Sequence, residues 1–107
     1  MTGWVDVAAS GDLDAEDVLG VTVGGRDYAL YRAPDGTLSA SQGFCSHEAA
    51  LLAEGFVVGT AIECPRHQGR FDIRTGAALN APACVDLRMY PVKEADGRLW
   101  LKLEGVV

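Results

Sequence analysis

Two short segments constrain this chain more than anything else in it: Cys45-Ser46-His47 and Cys64-Pro65-Arg66-His67. They read C-x-H and C-x-x-H, with sixteen residues between His47 and Cys64. Both histidines of the 107-residue chain and two of its three cysteines fall inside them. Thiolate and imidazole are the side chains that hold soft and borderline transition metals. Two of each, offered from two loops, make a complete four-ligand set. The fold must therefore bring two separate loops to one centre.

Two plainer readings compete with that one. A cysteine near a histidine is often just a buried thiol beside a core imidazole. Here, however, the whole histidine complement sits at ligand spacing beside cysteines, which that reading leaves to coincidence. A tetrahedral zinc site with two Cys and two His is the sharper rival. Zinc fingers space their ligands C-x(2–4)-C and then H-x(3–5)-H. A C-x-H followed by a C-x-x-H does not fit that order.

The rest of the chain is punctuated like an antiparallel β protein. Val21-Thr22-Val23 faces Asp27-Tyr28-Ala29-Leu30-Tyr31 across Gly24-Gly25, a hairpin signal. Pro34-Asp35-Gly36 turns into Thr37-Leu38-Ser39-Ala40, and Asp96-Gly97 joins Met89–Lys93 to Leu99–Leu103. In that last strand Leu99, Leu101 and Leu103 share one face, with Lys102 and Glu104 on the other. Only Asp14–Leu19 and Ser46–Leu52 could form a helical turn. No repeat or low-complexity linker interrupts the chain, and its length suits one domain over residues 1–107.

The two ligand segments, with His67-Gln68-Gly69-Arg70-Phe71-Asp72-Ile73-Arg74-Thr75-Gly76 after the second and Asn80-Ala81-Pro82-Ala83 beyond, resemble the Rieske [2Fe-2S] signature. The resemblance runs from about Asp35 to Glu104 and is weaker before that. It implies the Rieske fold: an all-β antiparallel sandwich or barrel with an inserted cluster-binding lobe, about residues 43–83, made of two ligand loops. It also implies one [2Fe-2S] cluster with Cys45 and Cys64 on the inner iron and His47 and His67 on the outer one. Pro82 would belong to a third loop covering the cluster. Replacing two thiolates by neutral imidazoles leaves an oxidised cluster without net charge, so it accepts an electron more readily than an all-cysteine cluster.

Departures from the family pattern narrow the type. High-potential members carry an extra cysteine in each loop, joined as a disulfide; Ala50 and Arg66 stand there instead. Those members also place a serine and a tyrosine where their hydroxyls bond to cluster and cysteine sulfur, and here Gly69 and Phe71 occupy those positions. Hydrogen bonds to sulfur stabilise the reduced cluster. Their loss points to the low end of the Rieske range, roughly −150 mV. Gln68 departs too, standing where glycine is commoner.

Composition bounds the function. The formal net charge is −6, with Asp12, Asp14, Glu16 and Asp17 clustered early. Nucleic acid needs a basic face and is excluded, whereas an acidic carrier suits docking to basic patches on redox partners. No apolar run or basic leader opens the sequence, so neither membrane anchor nor secretion signal is expected, and the compartment reads as cytoplasmic. Cys84 reads as a packed thiol of a reducing compartment. No G-x-G-x-x-G is present, so a separate flavoprotein reductase is implied. A third ligand histidine for mononuclear oxygenase iron is also missing. By resemblance the chain is a monomeric electron carrier, not an enzyme, serving a terminal ring-hydroxylating oxygenase. The small subunit of a nitrite reductase and a zinc-bearing interaction module are the alternatives.

Overall fold

The computed structural model describes residues 3–45, 50–65, 69–80 and 85–103. Nine strands run through them: β1 (Trp4–Ala9), β2 (Asp17–Val23), β3 (Arg26–Arg32), β4 (Leu38–Gln42), β5 (Phe56–Val58), β6 (Ala61–Glu63), β7 (Arg70–Asp72), β8 (Val92–Ala95) and β9 (Arg98–Lys102). They form three antiparallel three-stranded sheets, ordered β1-β9-β8, β2-β3-β4 and β5-β6-β7. The all-β class is as expected.

The central strand β3 organises the molecule. Successive residues of a strand face opposite sides. Here Tyr28, Ala29, Leu30 and Tyr31 are all buried, so both faces of β3 are covered. Tyr28 and Leu30 pack with Ala8, Leu13, Ala40, Leu99, Leu101 and Leu103, a core shared with the sheet of both chain ends. Ala29, Tyr31 and Ala33 pack on the other side with Leu52, Ile62, Phe71, Ile73, Cys45 and Cys64. The sheet β2-β3-β4 is thus a middle layer, with a plain hydrophobic core on one face and the cysteine-bearing lobe on the other.

The hairpin expectations hold. Gly24 and Gly25 (φ 59° and 80°) join β2 to β3, and Asp96 and Gly97 (φ 56° and 73°) join β8 to β9. Both pairs have the double positive φ of a turn whose twist matches the flanking strands. Strand β8 starts only at Val92, after Pro91; Met89 instead forms an isolated bridge to Ser41. Glu104, expected opposite the leucines, lies outside the described residues.

The helical expectations need correction. Asp14–Leu19 is not helical: Asp17 already pairs with Arg32, and β2 continues through Leu19. Glu16 (φ 56°) reverses the chain there, its N–H donating to the Arg32 carbonyl and its carboxylate accepting from the Gly59 N–H. Pairing with β3 overrides the local signal. Single 3-10 turns occur instead at Ser10–Asp12 and Leu52–Glu54, the second at the end of the expected Ser46–Leu52 segment. Residues 46–49 of that segment are not described. No helix among the described residues is long and apolar enough to cross a membrane.

Candidate metal centre

Each cysteine stands at the root of a loop carried by a two-stranded stem. Strand β4 ends at Gln42 and runs through Gly43 and Phe44 to Cys45. That stem is closed by the Phe44–Leu51 bridge and by the Leu52 N–H donating to the Gly43 carbonyl at 2.8 Å. The Cys45 N–H then donates to the Ala50 carbonyl at 2.8 Å. Strand β6 ends at Glu63, paired with Arg70 of β7, and delivers Cys64. The Cys64 N–H donates to the Gly69 carbonyl at 2.7 Å. Both loops are therefore closed alike, by a cysteine amide bonded to the carbonyl five residues on.

The structure brings the two cysteines into one buried cluster, Cys45 at 6 % and Cys64 at 1 % exposure. His47 and His67, expected as the other ligands, lie outside the described residues. So do Arg66, Gln68, Pro82 and Cys84. Ala50, where a disulfide cysteine was found missing from the pattern, is buried beside Cys45 in the same cluster. Phe71 is fully buried and pairs with Ile62, so its ring serves packing, with no hydroxyl to offer.

A third segment is fastened to the first loop by Gln42. The Gln42 N–H donates to the Arg88 carbonyl, and Gln42 Oε1 accepts from the Arg88 N–H, both at 2.9 Å. Gln42 Nε2 donates to the Phe44 carbonyl at 2.8 Å, one residue before Cys45. One side chain thus ties the approach to Cys45 to the strand-like stretch following residues 81–84. Phe44, Leu79 and Val85, in the segments flanking the loops, are exposed at 43 %, 53 % and 58 %. They add an apolar element to this end of the molecule.

Sequence reading missed a buried polar pair beneath the cysteines. The Tyr31 and Ser41 hydroxyls lie 2.7 Å apart and both residues are 0 % exposed. Ser41 Oγ donates to the Gln42 carbonyl at 2.8 Å. A serine hydroxyl has one proton, so Tyr31 must be the donor between the two. Burial pushes the Tyr31 pKa far up, the Ser41 hydrogen bond opposes this, and the Cys45 charge adds to the rise. The tyrosine is therefore a neutral dipole at any physiological pH. The signal was the alternation of Leu38-Ser39-Ala40-Ser41: Ala40 enters the plain core, which places Ser39 and Ser41 on the cysteine side.

The acidic group lies at the opposite end. Along the middle sheet, Asp17 pairs with Arg32 and Arg32 with Leu38, while Tyr28 pairs with Gln42. The Asp12–Asp17 connection thus sits four residues along the strands, roughly 13 Å, from the exit toward Cys45. Asp72 and Arg74 mark the same far side, in a turn linked to the β5–β6 turn through the Ile73 N–H and the Thr60 carbonyl. Arg74 hydrogen-bonds the Asp72 carboxylate and holds its pKa below the usual value.

Two buried cysteines at the roots of matched loops of an all-β body are the described half of the expected four-ligand set. Residues 3–91 match the family described as the Rieske [2Fe-2S] domain. The chain belongs to that family. It is 46 % identical over 101 residues to the ferredoxin component of the naphthalene 1,2-dioxygenase/salicylate 5-hydroxylase systems of Ralstonia sp., covering 94 % of this chain and 96 % of that one. It is 45 % identical to the ferredoxin component of the naphthalene 1,2-dioxygenase system of Pseudomonas aeruginosa, covering 94 % and 95 %. Among solved structures, the Sphingomonas yanoikuyae B1 ferredoxin aligns with a TM-score of 0.86 at 31 % identity, covering 92 % and 97 %. A chain in the complex of reduced oxygenase and oxidised ferredoxin in carbazole 1,9a-dioxygenase aligns equally well, TM-score 0.86 at 32 % identity, covering 95 % and 94 %.

The donors present fit the family's cluster. Two buried thiols converge on one apolar cluster, each opening a loop that carries a histidine in sequence. An apolar pocket suits an oxidised cluster whose charges sum to zero, because little hydration is lost on burial.

Proposed function

We propose that this chain is a one-electron carrier holding one Rieske [2Fe-2S] cluster, the ferredoxin component of an aromatic-ring dioxygenase system. It takes electrons from a flavoprotein reductase and delivers them to a terminal ring-hydroxylating oxygenase. The observation that carries the reading is 45–46 % identity to such ferredoxin components over 94 % of the chain, together with two buried cysteines rooting matched loops. The proposed ligands are Cys45 and Cys64, both buried, with His47 and His67 completing the set. The body over residues 1–107 acts as one domain, monomeric and cytoplasmic.

When bound, the cluster supplies a one-electron couple. Everything else falls to the chain. The stems of β4 and β6–β7 fix the cysteines, so little reorganisation accompanies a change of charge. The apolar cluster around Leu52, Ile62 and Phe71 excludes water from the thiolates. Phe44, Leu79 and Val85 offer an uncharged surface against which a partner can close without desolvating charge.

Iron, acid-labile sulfide and the EPR spectrum of the dithionite-reduced protein test the reading. A rhombic signal with average g below the free-electron value is expected. Cys45→Ala and Cys64→Ala should each abolish it, since loop order depends on the metal. A colourless protein with one zinc, or normal cluster content in both variants, would refute it.

A further inference from the structure

The buried hydroxyl pair is not needed to hold a cluster, yet it stands beside one of the cysteines. Tyr31 projects from β3 into the same cluster as Cys45 and Cys64, and Ser41 meets it from β4. A tyrosine at this place has two ways to act on nearby thiolate sulfur. Donating its proton to sulfur would stabilise the more negative, reduced state. With its proton held elsewhere, the hydroxyl leaves its electronegative oxygen in the cluster's surroundings, which favours the less negative, oxidised state.

The hydrogen-bond count selects the second. Ser41 spends its only proton on the Gln42 carbonyl at 2.8 Å, so its oxygen is open to the Tyr31 proton at 2.7 Å. We propose that Ser41 is a positioning residue that sequesters the Tyr31 proton, and that the pair thereby holds the reduction potential down. This rests on the cluster reading above. It adds a cause of low potential that the missing hydroxyls at Gly69 and Phe71 do not contain. A low dielectric makes such a dipole effective.

The test is a redox titration of the intact, cluster-loaded protein and three variants. Iron, sulfide and visible absorbance are checked first in each. Tyr31→Phe removes the oxygen and should raise the potential. Ser41→Ala removes the acceptor that holds the Tyr31 proton away from the cysteines and should raise it too. At a fixed applied potential each should increase the ratio of reduced to oxidised cluster several-fold, a tenfold change corresponding to 59 mV for one electron. Ser41→Thr keeps the acceptor and should restore the wild-type value. If Tyr31→Phe and Ser41→Ala retain full cluster at unchanged or lowered potential, the pair only packs and the proposal fails. A wild-type protein without cluster would instead overturn the reading beneath it.

Discussion

The Cys45 amide donates to the Ala50 carbonyl at 2.8 Å, and this bond closes the first cysteine loop. The Cys64 amide repeats it on Gly69 at 2.7 Å. Two loops with different ligand spacing, C-x-H and C-x-x-H, thus rest on the same backbone closure. Ala50 is buried at 6 % exposure, so its methyl group abuts the core where that closure is made. Ala50→Val should overpack the site at a cost of about 1–3 kcal/mol. Cluster absorbance at matched chelator and temperature should bleach faster than in the wild type.

Gln42 links the first loop to the stretch after residues 81–84 through hydrogen bonds to Phe44 and Arg88. Gln42→Ala removes both side-chain bonds and leaves the Phe44 carbonyl and the Arg88 amide to find water. Each such bond contributes about 0.5–1.5 kcal/mol, so a loss of roughly 2 kcal/mol is expected. The thermal midpoint should fall, with earlier cluster loss than in a surface control such as Asp14→Ala.

Gly43 is the first residue beyond β4, and its amide donates to the Asp27 carbonyl. A Cβ there would lie 2.5 Å from the Asp27 carbonyl carbon, too close for any side chain. Backbone must move, and the approach to Cys45 moves with it. Gly43→Ala should lower the denaturation midpoint by the equivalent of about 1–3 kcal/mol, and cluster content on purification should drop.

The Asp72 carboxyl is held below its ordinary pKa of 3.8, chiefly by the Arg74 hydrogen bond. A depressed carboxylate pKa gives stability that is full above the unfolded value and is lost as pH falls through the folded one. Arg74 is open to water, and solvent screening keeps the contribution of the pair small. Asp72→Asn should therefore be slightly less stable than wild type in urea at pH 7 and at pH 5. The two should converge below about pH 4, followed by far-ultraviolet circular dichroism.

The acidic connection lies roughly 13 Å along the strands from the exit toward Cys45, more than one Debye length at physiological salt. Partner docking at that end should hardly feel it. Asp14→Asn/Asp17→Asn should leave electron delivery to a terminal oxygenase within about twofold at 0.15 M salt. A larger loss would place the contact on the acidic side.

By itself the sequence determined the ligand motifs, the hairpins at Gly24-Gly25 and Asp96-Gly97, and the β class. These are local: spacing, turn residues and alternation are written in consecutive positions. It also determined what is missing, since Ala50, Gly69 and Phe71 can supply neither disulfide nor hydroxyl. Only the tertiary structure decided what covers each face. Ser39 and Ser41 alternate with Leu38 and Ala40, and Ser41 is fully buried because the cysteine lobe packs over the middle sheet. Asp14–Leu19 carried a helical signal that pairing with β3 overrode. The acidic group, legible as composition, acquired a place only when the strand register set it opposite the cysteines. Which side of a strand is wet, and which end of a molecule is charged, depends on contacts between residues far apart in the chain. No local pattern contains them.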